Sequence, residues 1–115
     1  MDIRIKKIRP VMSNTFEVVE RKGLGHPDTI ADGLAEITSI EYAKYCLKKF
    51  GAILHHNTDK TIVFGGQCRL KYGSGSLLKP YTILFGGRMS RSFNGIKIPI
   101  VKIQKKAGLD KLDAF

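Results

Sequence analysis

Glu20-Arg-Lys-Gly-Leu-Gly-His-Pro-Asp-Thr-Ile-Ala-Asp-Gly-Leu-Ala-Glu36 decides how this chain folds, because it sets a glycine-flexed loop, a histidine and three acids at one turn and helix start. Gly23 and Gly25 allow backbone angles that a side chain would forbid. Pro27 and Asp28 then open a helix. Proline suits the first turn because its missing N–H would be unpaired anyway, and an early acid favours the positive end of the macrodipole. The pattern predicts a helix from Pro27 to Phe50, with Lys48 and Lys49 in its last turn and Gly51 as the stop. At about 100° per residue, Ile30, Ala31, Leu34, Ala35 and Ile37 form one apolar stripe, while Asp28, Asp32, Glu36 and Ser39 gather opposite. Beyond Ile40 the apolar positions Ala43, Cys46, Leu47 and Phe50 rotate to a different side. The helix is therefore expected to touch two surfaces, one of them open to a partner or a further domain.

Working outward, Phe16 to Glu20 begins by alternating and reads as a short strand leading into the loop. Ile53 to Phe64 reads as a strand interrupted by the polar run His55 to Lys60, and it ends at Gly65-Gly66. Gln67 to Tyr72 alternates cleanly, a Gly73-Ser74-Gly75-Ser76 turn follows, and Tyr81 to Phe85 is a further strand. After the Gly86-Gly87-Arg88 turn, Ile96 to Ile103 is read as an edge strand because it contains Pro99. The expected fold class is α+β, with one long helix packed on an antiparallel or mixed sheet in a single domain over residues 1–115.

Composition narrows the class further. A hydrophobic content of 43% with 26% charged residues fits a soluble globular chain, long enough to bury about 65% of its unfolded surface. No apolar run approaches the ~18 residues of a membrane span, and the first ten residues lack the apolar stretch of a signal peptide, so a cytoplasmic setting is expected. Cys46 and Cys68 lack metal or disulfide spacing and are read as reduced core or near-core thiols. The net charge of +10 is concentrated: from Lys60 to Leu109 there are ten basic residues and no acid. Such a half-molecule attracts polyanions or an acidic protein surface, or it is a solvated basic face.

Two constellations could carry chemistry. Gly23-Leu-Gly25-His26-Pro27-Asp28 begins like a dinucleotide fingerprint but lacks the third glycine, and no P-loop motif occurs. What it offers is a histidine before a helix start, able to donate to a phosphate oxygen, and an acid able to hold a bridging magnesium ion. Taken by themselves, the same residues are more often an Asp cap with a surface histidine. In the second, His55-His56-Asn57-Thr58-Asp59-Lys60, adjacent strand histidines point to opposite faces, which is poor geometry for zinc. It reads as a polar strand and turn lining a site, with Lys60 as a cation for phosphate, or as an exposed turn. Arg88, after two glycines, could set a guanidinium on a phosphate bidentately, or be one basic residue among ten.

Taken together, Glu20-Arg-Lys-Gly-x-Gly-His-Pro-Asp28, Ile30-Ala-Asp-Gly-x-Ala-Glu36, Leu54-His-His-Asn-Thr-Asp-Lys60 and Gly86-Gly-Arg88 resemble the amino-terminal part of the S-adenosylmethionine synthetase (methionine adenosyltransferase) family, in its archaeal-type branch. The resemblance runs from Phe16 to Arg91 and fades beyond. It implies a fold that repeats a helix-on-sheet unit, of which this chain is one, and subunits that pair through broad sheets with active sites at the interface. It also implies a reaction of one-carbon metabolism in which the methionine sulfur attacks C5′ of ATP and the triphosphate leaves, to be hydrolysed to pyrophosphate and phosphate. Expelling a triphosphate calls for magnesium and fixed cations. By resemblance His26 is the catalytic residue at the polyphosphate, Asp28 is a magnesium ligand, and Lys60 and Arg88 bind phosphate. Asp32, Glu36, His55, Asn57 and Asp59 are implied to line the site, and potassium is a second implied cation.

The sequence departs from the family pattern at Tyr72-Gly-Ser-Gly75, where Phe-Gly-Gly-Gly is expected, and at Gly87-Arg-Met-Ser90, where Gly-Arg-Ala-Thr is expected. Family members are also much longer. The expectation is an amino-terminal portion of a larger enzyme, inactive alone and acting as a homo-oligomer. The alternatives are a non-catalytic basic module for nucleic acid, which lacks the usual aromatic interleaving, and a docking or regulatory subunit of a full-length synthetase.

Overall fold

Helix α1 covers Pro27–Phe50, as the caps predict. His26 is its N-cap, and its ring Nδ1 accepts the Asp28 amide at 3.1 Å. At the other end Gly51 takes the left-handed conformation, with φ of 73°, and returns its N–H to the Leu47 carbonyl at 3.0 Å. The computed structural model describes residues 1–10 and 15–112.

The buried positions of α1 are Ile30, Leu34, Thr38, Tyr42 and Cys46, each four residues after the last. A step of four overshoots a helical turn by about 40°, so this line winds around the helix as it runs. The winding explains why the apolar residues change sides after Ile40. It also makes Tyr42, absent from the expected stripe, part of the core, and it leaves Leu47 half exposed. Thr38 sits in the line because its hydroxyl is satisfied by the Leu34 carbonyl at 2.7 Å.

Six strands form nested antiparallel pairs: β1 (His56–Asn57) with β6 (Arg88–Met89), β2 (Ile62–Phe64) with β5 (Thr82–Leu84), and β3 (Gln67–Lys71) with β4 (Ser74–Lys79). The nesting makes one interrupted ribbon, with the β3–β4 hairpin at its tip and β1–β6 at its base. All pairs are antiparallel among the described residues, so the mixed-sheet option falls away. Helix α1 packs on β2 and on a second helix, α2 (Ile100–Leu112). The lower core gathers Tyr42, Cys46, Ile98 and Ile103, with Phe50, Leu54 and Met89 against them.

Several expectations are corrected. Phe16 to Glu20 forms no strand; its residues are exposed, and none pairs with a strand among the described residues. The expected turn at Gly73 to Ser76 is tighter: it lies at Tyr72-Gly73, with Gly73 at φ of 75°, and Ser74 to Ser76 already belong to β4. Ile96 to Ile103 is not one strand. Asn94 and Gly95 both have positive φ, the signature of a two-residue hairpin turn, which pairs β7 (Ser92–Phe93) with β8 (Ile96–Lys97). Pro99 then ends the extended run, and Ile100, Ile103 and Ala107 fall at helical spacing. Cys46 is a buried thiol as expected, whereas Cys68 stands exposed on β3. No helix among the described residues is long and apolar enough to cross a membrane.

Candidate active site

Two neighbouring clusters bring together most of the chemistry-bearing residues. The first is the head of α1. Because Nδ1 of His26 accepts the Asp28 amide, the proton of the neutral ring resides on Nε2, which makes that nitrogen the ring's donor. Asp28 is ion-paired with Lys22. That hydrogen bond and charge hold the Asp28 carboxyl below its ordinary value and raise the Lys22 ammonium above its own. Lys22 also feels Asp32, one turn further along the helix. Both side chains of the pair are more than half exposed, so the pair is screened and exchangeable.

The second cluster is a groove of about 430 Å³ between the middle of α1 and the β1 loop. Asp32, Glu36 and Ser39 line it from the helix, and Asn57, Thr58 and Asp59 from the loop. Hydrogen bonds hold the two walls at fixed distance. The Thr58 hydroxyl donates to the Ala35 carbonyl at 2.9 Å, and the Ser39 hydroxyl lies 2.7 Å from Nε2 of His56. The other ring nitrogen of His56 lies 2.9 Å from the Leu54 carbonyl oxygen, which can only accept. Nδ1 therefore carries the proton and Nε2 accepts from Ser39. The ring also packs on Tyr42, with centroids 4.7 Å apart. In the loop itself the Asn57 side-chain oxygen accepts the Asp59 amide at 2.9 Å, a turn local to the sequence.

The base of the ribbon is closed from the far side. Tyr42 donates to the Ser90 carbonyl at 2.8 Å, and Ser90 donates from its amide and its hydroxyl to the His55 carbonyl at 3.2 and 2.9 Å. Burial pushes the Tyr42 hydroxyl above its ordinary value, so it remains a donor. Gly87, at φ of 129°, lies so close to the Asn57 carbonyl that a Cβ there would collide with it.

Of the residues singled out from sequence, Asp32, Glu36, Asn57 and Asp59 share the groove, and His26 and Asp28 sit at the helix head. Lys60 is paired with Asp59 at 3.6 Å, and Arg88 stands opposite Asn57 in the β1–β6 pair; neither lines the groove. His55 is exposed, and its backbone rather than its ring makes the recorded contacts. His56 buttresses the groove wall. Lys22, Ser39 and Thr58 each lay inside a stretch singled out from sequence, Lys22 in the Glu20 to Asp28 motif, Ser39 on the acidic helix face and Thr58 in the His55 to Lys60 run, but no role was legible for any of them there.

No group of three or more acids, histidines or cysteines among the described residues is set to hold a metal ion unaided. Magnesium needs no such cage, since it is commonly held by one or two carboxylates together with substrate phosphates. Asp28 and Asp32, one turn apart on an exposed helix face, fit that donor set.

A family model described as S-adenosylmethionine synthetase (AdoMet synthetase) matches residues 1–114. The likeness therefore continues past Arg91, where the motif reading had it fade. An S-adenosylmethionine synthase of Picrophilus torridus is 46% identical over 113 residues, covering 96% of this chain and 28% of the relative. That of Thermoplasma volcanium is 47% identical over 103 residues, covering 90% and 26%. An uncharacterized protein of Streptococcus pyogenes serotype M1 is 52% identical over 99 residues, covering 86% and 25%. The chain spans about a quarter of the length of the curated relatives it matches.

Proposed function

We propose that this chain, which belongs to the S-adenosylmethionine synthetase family, supplies the triphosphate-holding edge of a methionine adenosyltransferase, as the amino-terminal portion of an enzyme that makes S-adenosylmethionine from ATP and methionine. The observation that carries the assignment is the His26 ring held at the head of a 24-residue helix by the Asp28 amide, which its Nδ1 accepts and which leaves Nε2 as the ring's donor. A donor so fixed loses little freedom on meeting a phosphate oxygen, and it stands at the positive end of the helix. Asp28, whose carboxyl is held in its charged form by Lys22, and Asp32 beside it would hold magnesium. When bound, that ion supplies charge neutralisation for a leaving triphosphate. Lys22 stands at the same helix head as a further cation. Glu36, Asn57 and Asp59 shape the groove walls, and Lys60 and Arg88, next to Asp59 and opposite Asn57, are the proposed phosphate contacts although neither lines the groove. Phosphate and pyrophosphate are the proposed products, and potassium is a second cation of the proposal.

ATP as substrate sets the proposed work in the cytoplasm. A homo-oligomer joined through sheet faces is part of the same reading, supported by the apolar side chains that the ribbon leaves in the open. The test is calorimetric titration of the chain with magnesium tripolyphosphate. Saturable binding is expected, weakened about tenfold by His26→Ala or Asp28→Asn and lost without magnesium; a tenfold change corresponds to about 1.4 kcal/mol. Unchanged binding in His26→Ala would sink the assignment of that residue. Incubated with methionine, ATP and magnesium, the 115-residue chain is expected to form no S-adenosylmethionine, and robust turnover would overturn that part of the reading.

A further inference from the structure

The β7–β8 hairpin and the start of α2 enclose an open groove of about 1010 Å³ that shares no lining residue with the acidic groove. Four cations line it: Arg91, Lys97, Lys102 and Lys105. No carboxylate lines it, and the first turn of α2 contains no acid. The contrast with Lys106 is informative. Lys106, on the side of α2 that meets α1, is ion-paired with Glu41 at 2.6 Å, and Glu41 also takes Lys44 at 3.1 Å. The fold thus provides a carboxylate for the cation between its helices. Among the described residues it provides none for the four in the groove. Held along one groove, like charges repel each other, and an anionic partner would offset that repulsion.

The floor discriminates between classes of anion. Between the cations run Pro99, Ile100 and Val101, with Val101 64% exposed. An apolar strip gains nothing from a phosphate backbone, and no aromatic ring lines the groove for bases to stack on. It does gain from side chains that leave water on binding. We infer that this groove is a docking site for an acidic protein segment that carries apolar side chains between its carboxylates. Its carboxylates meet the four cations, and its apolar side chains cover the strip from Pro99 to Val101. The inference is independent of the triphosphate reading, since it uses none of the residues at the head of α1.

The test is fluorescence anisotropy with three labelled probes: a peptide alternating glutamate and leucine, a length-matched peptide alternating glutamate and serine, and single-stranded polyuridylate. The glutamate–leucine peptide is expected to bind at least about tenfold more tightly than the glutamate–serine peptide, a difference of about 1.4 kcal/mol. Its affinity should fall as salt is raised, and by about tenfold or more in the Lys102→Glu, Lys105→Glu double variant. Lys79→Glu, on β4 and outside the groove, should leave it unchanged. The gentler Lys102→Gln, Lys105→Gln variant, checked for native circular dichroism, keeps the test decisive if charge reversal disturbs α2. Equal affinity for the two peptides, or tighter binding of polyuridylate than of either, overturns the proposal, as does insensitivity to both double variants.

Discussion

The paired helices and the β3–β4 hairpin both carry apolar side chains, yet the helices bury a line of theirs while the hairpin leaves its leucines open. Tyr42 and Cys46 of α1 have no solvent exposure, and Ile103 of α2 retains 7%. Leu70, Leu77 and Leu78 of the hairpin remain 77%, 63% and 57% exposed. A helix with a second helix and a strand beside it is covered along its buried line. A two-stranded ribbon has two faces, and among the described residues no helix or further strand packs on those of β3–β4; such a pair is marginal in water. The radius of gyration is 19.9 Å, against about 13 Å for a compact chain of this length, and both the ribbon and the exposed stretch before α1 contribute to it. Periodicity states which side of an element wants cover; it does not state that the cover is present.

The largest effect that sharpens this contrast is expected from Tyr42→Ala. It removes a fully buried ring and the bond to Ser90, and should cost about 3–5 kcal/mol in a urea unfolding experiment, a large share of a domain's ordinary stability. Next comes Gly87→Ala, expected to lower stability by about 1–3 kcal/mol because φ of 129° and the nearby Asn57 carbonyl leave no room for a methyl group. If Gly87→Ala is neutral in thermal unfolding, the close approach of β6 to the β1 loop is mistaken. Ser39→Ala should cost about 1 kcal/mol by leaving Nε2 of His56 without its donor, read from the urea midpoint.

A smaller effect is expected from pH. Lys106 and Lys44 hold the Glu41 carboxyl below its ordinary value of 4.5. Since the folded value is the lower one, this pairing contributes fully above the ordinary value and is lost as pH falls through the depressed one. Glu41→Gln should therefore flatten the acid limb of a stability–pH curve by about 0.2–1 kcal/mol and leave the alkaline limb alone. The smallest change belongs to the hairpin: Leu77→Ala should shift stability by less than about 0.5 kcal/mol. A cost for Leu77→Ala comparable to that of Tyr42→Ala would erase the distinction between the two regions.

What was legible in the chain follows the range of the interactions. The bounds of α1 were readable because Pro27 and Gly51 act within their own turns. Its buried line was only half readable: Thr38 looks polar until its hydroxyl finds the Leu34 carbonyl, and the winding that brings in Tyr42 accumulates over several turns. The hairpin at Asn94-Gly95 is written in two adjacent residues, but the apolar residues from Ile96 to Ile103 run on across Pro99 and mimic one strand, so the change from strand to helix at that proline is masked. At the candidate site the acids of α1 were readable as one face from helical geometry alone. That Asp32 and Glu36 would face Asn57 and Asp59 depends on contacts such as Thr58 to Ala35, which join residues 23 positions apart. Lys22 was hidden for a different reason: the loop before the helix must fold back for it to reach Asp28.

The bond from Tyr42 to Ser90 spans 48 positions, and the pairing of Lys106 with Glu41 spans 65. Helix α1 has its own caps and can flicker into being early in folding. Its buried line cannot be sealed until the chain has travelled out along β1 to β3, turned at Gly73 and come back to Ser90. Closing a loop of that size precedes the reward for making it, so the rate-limiting step of folding should be the return of the ribbon rather than the winding of the helix.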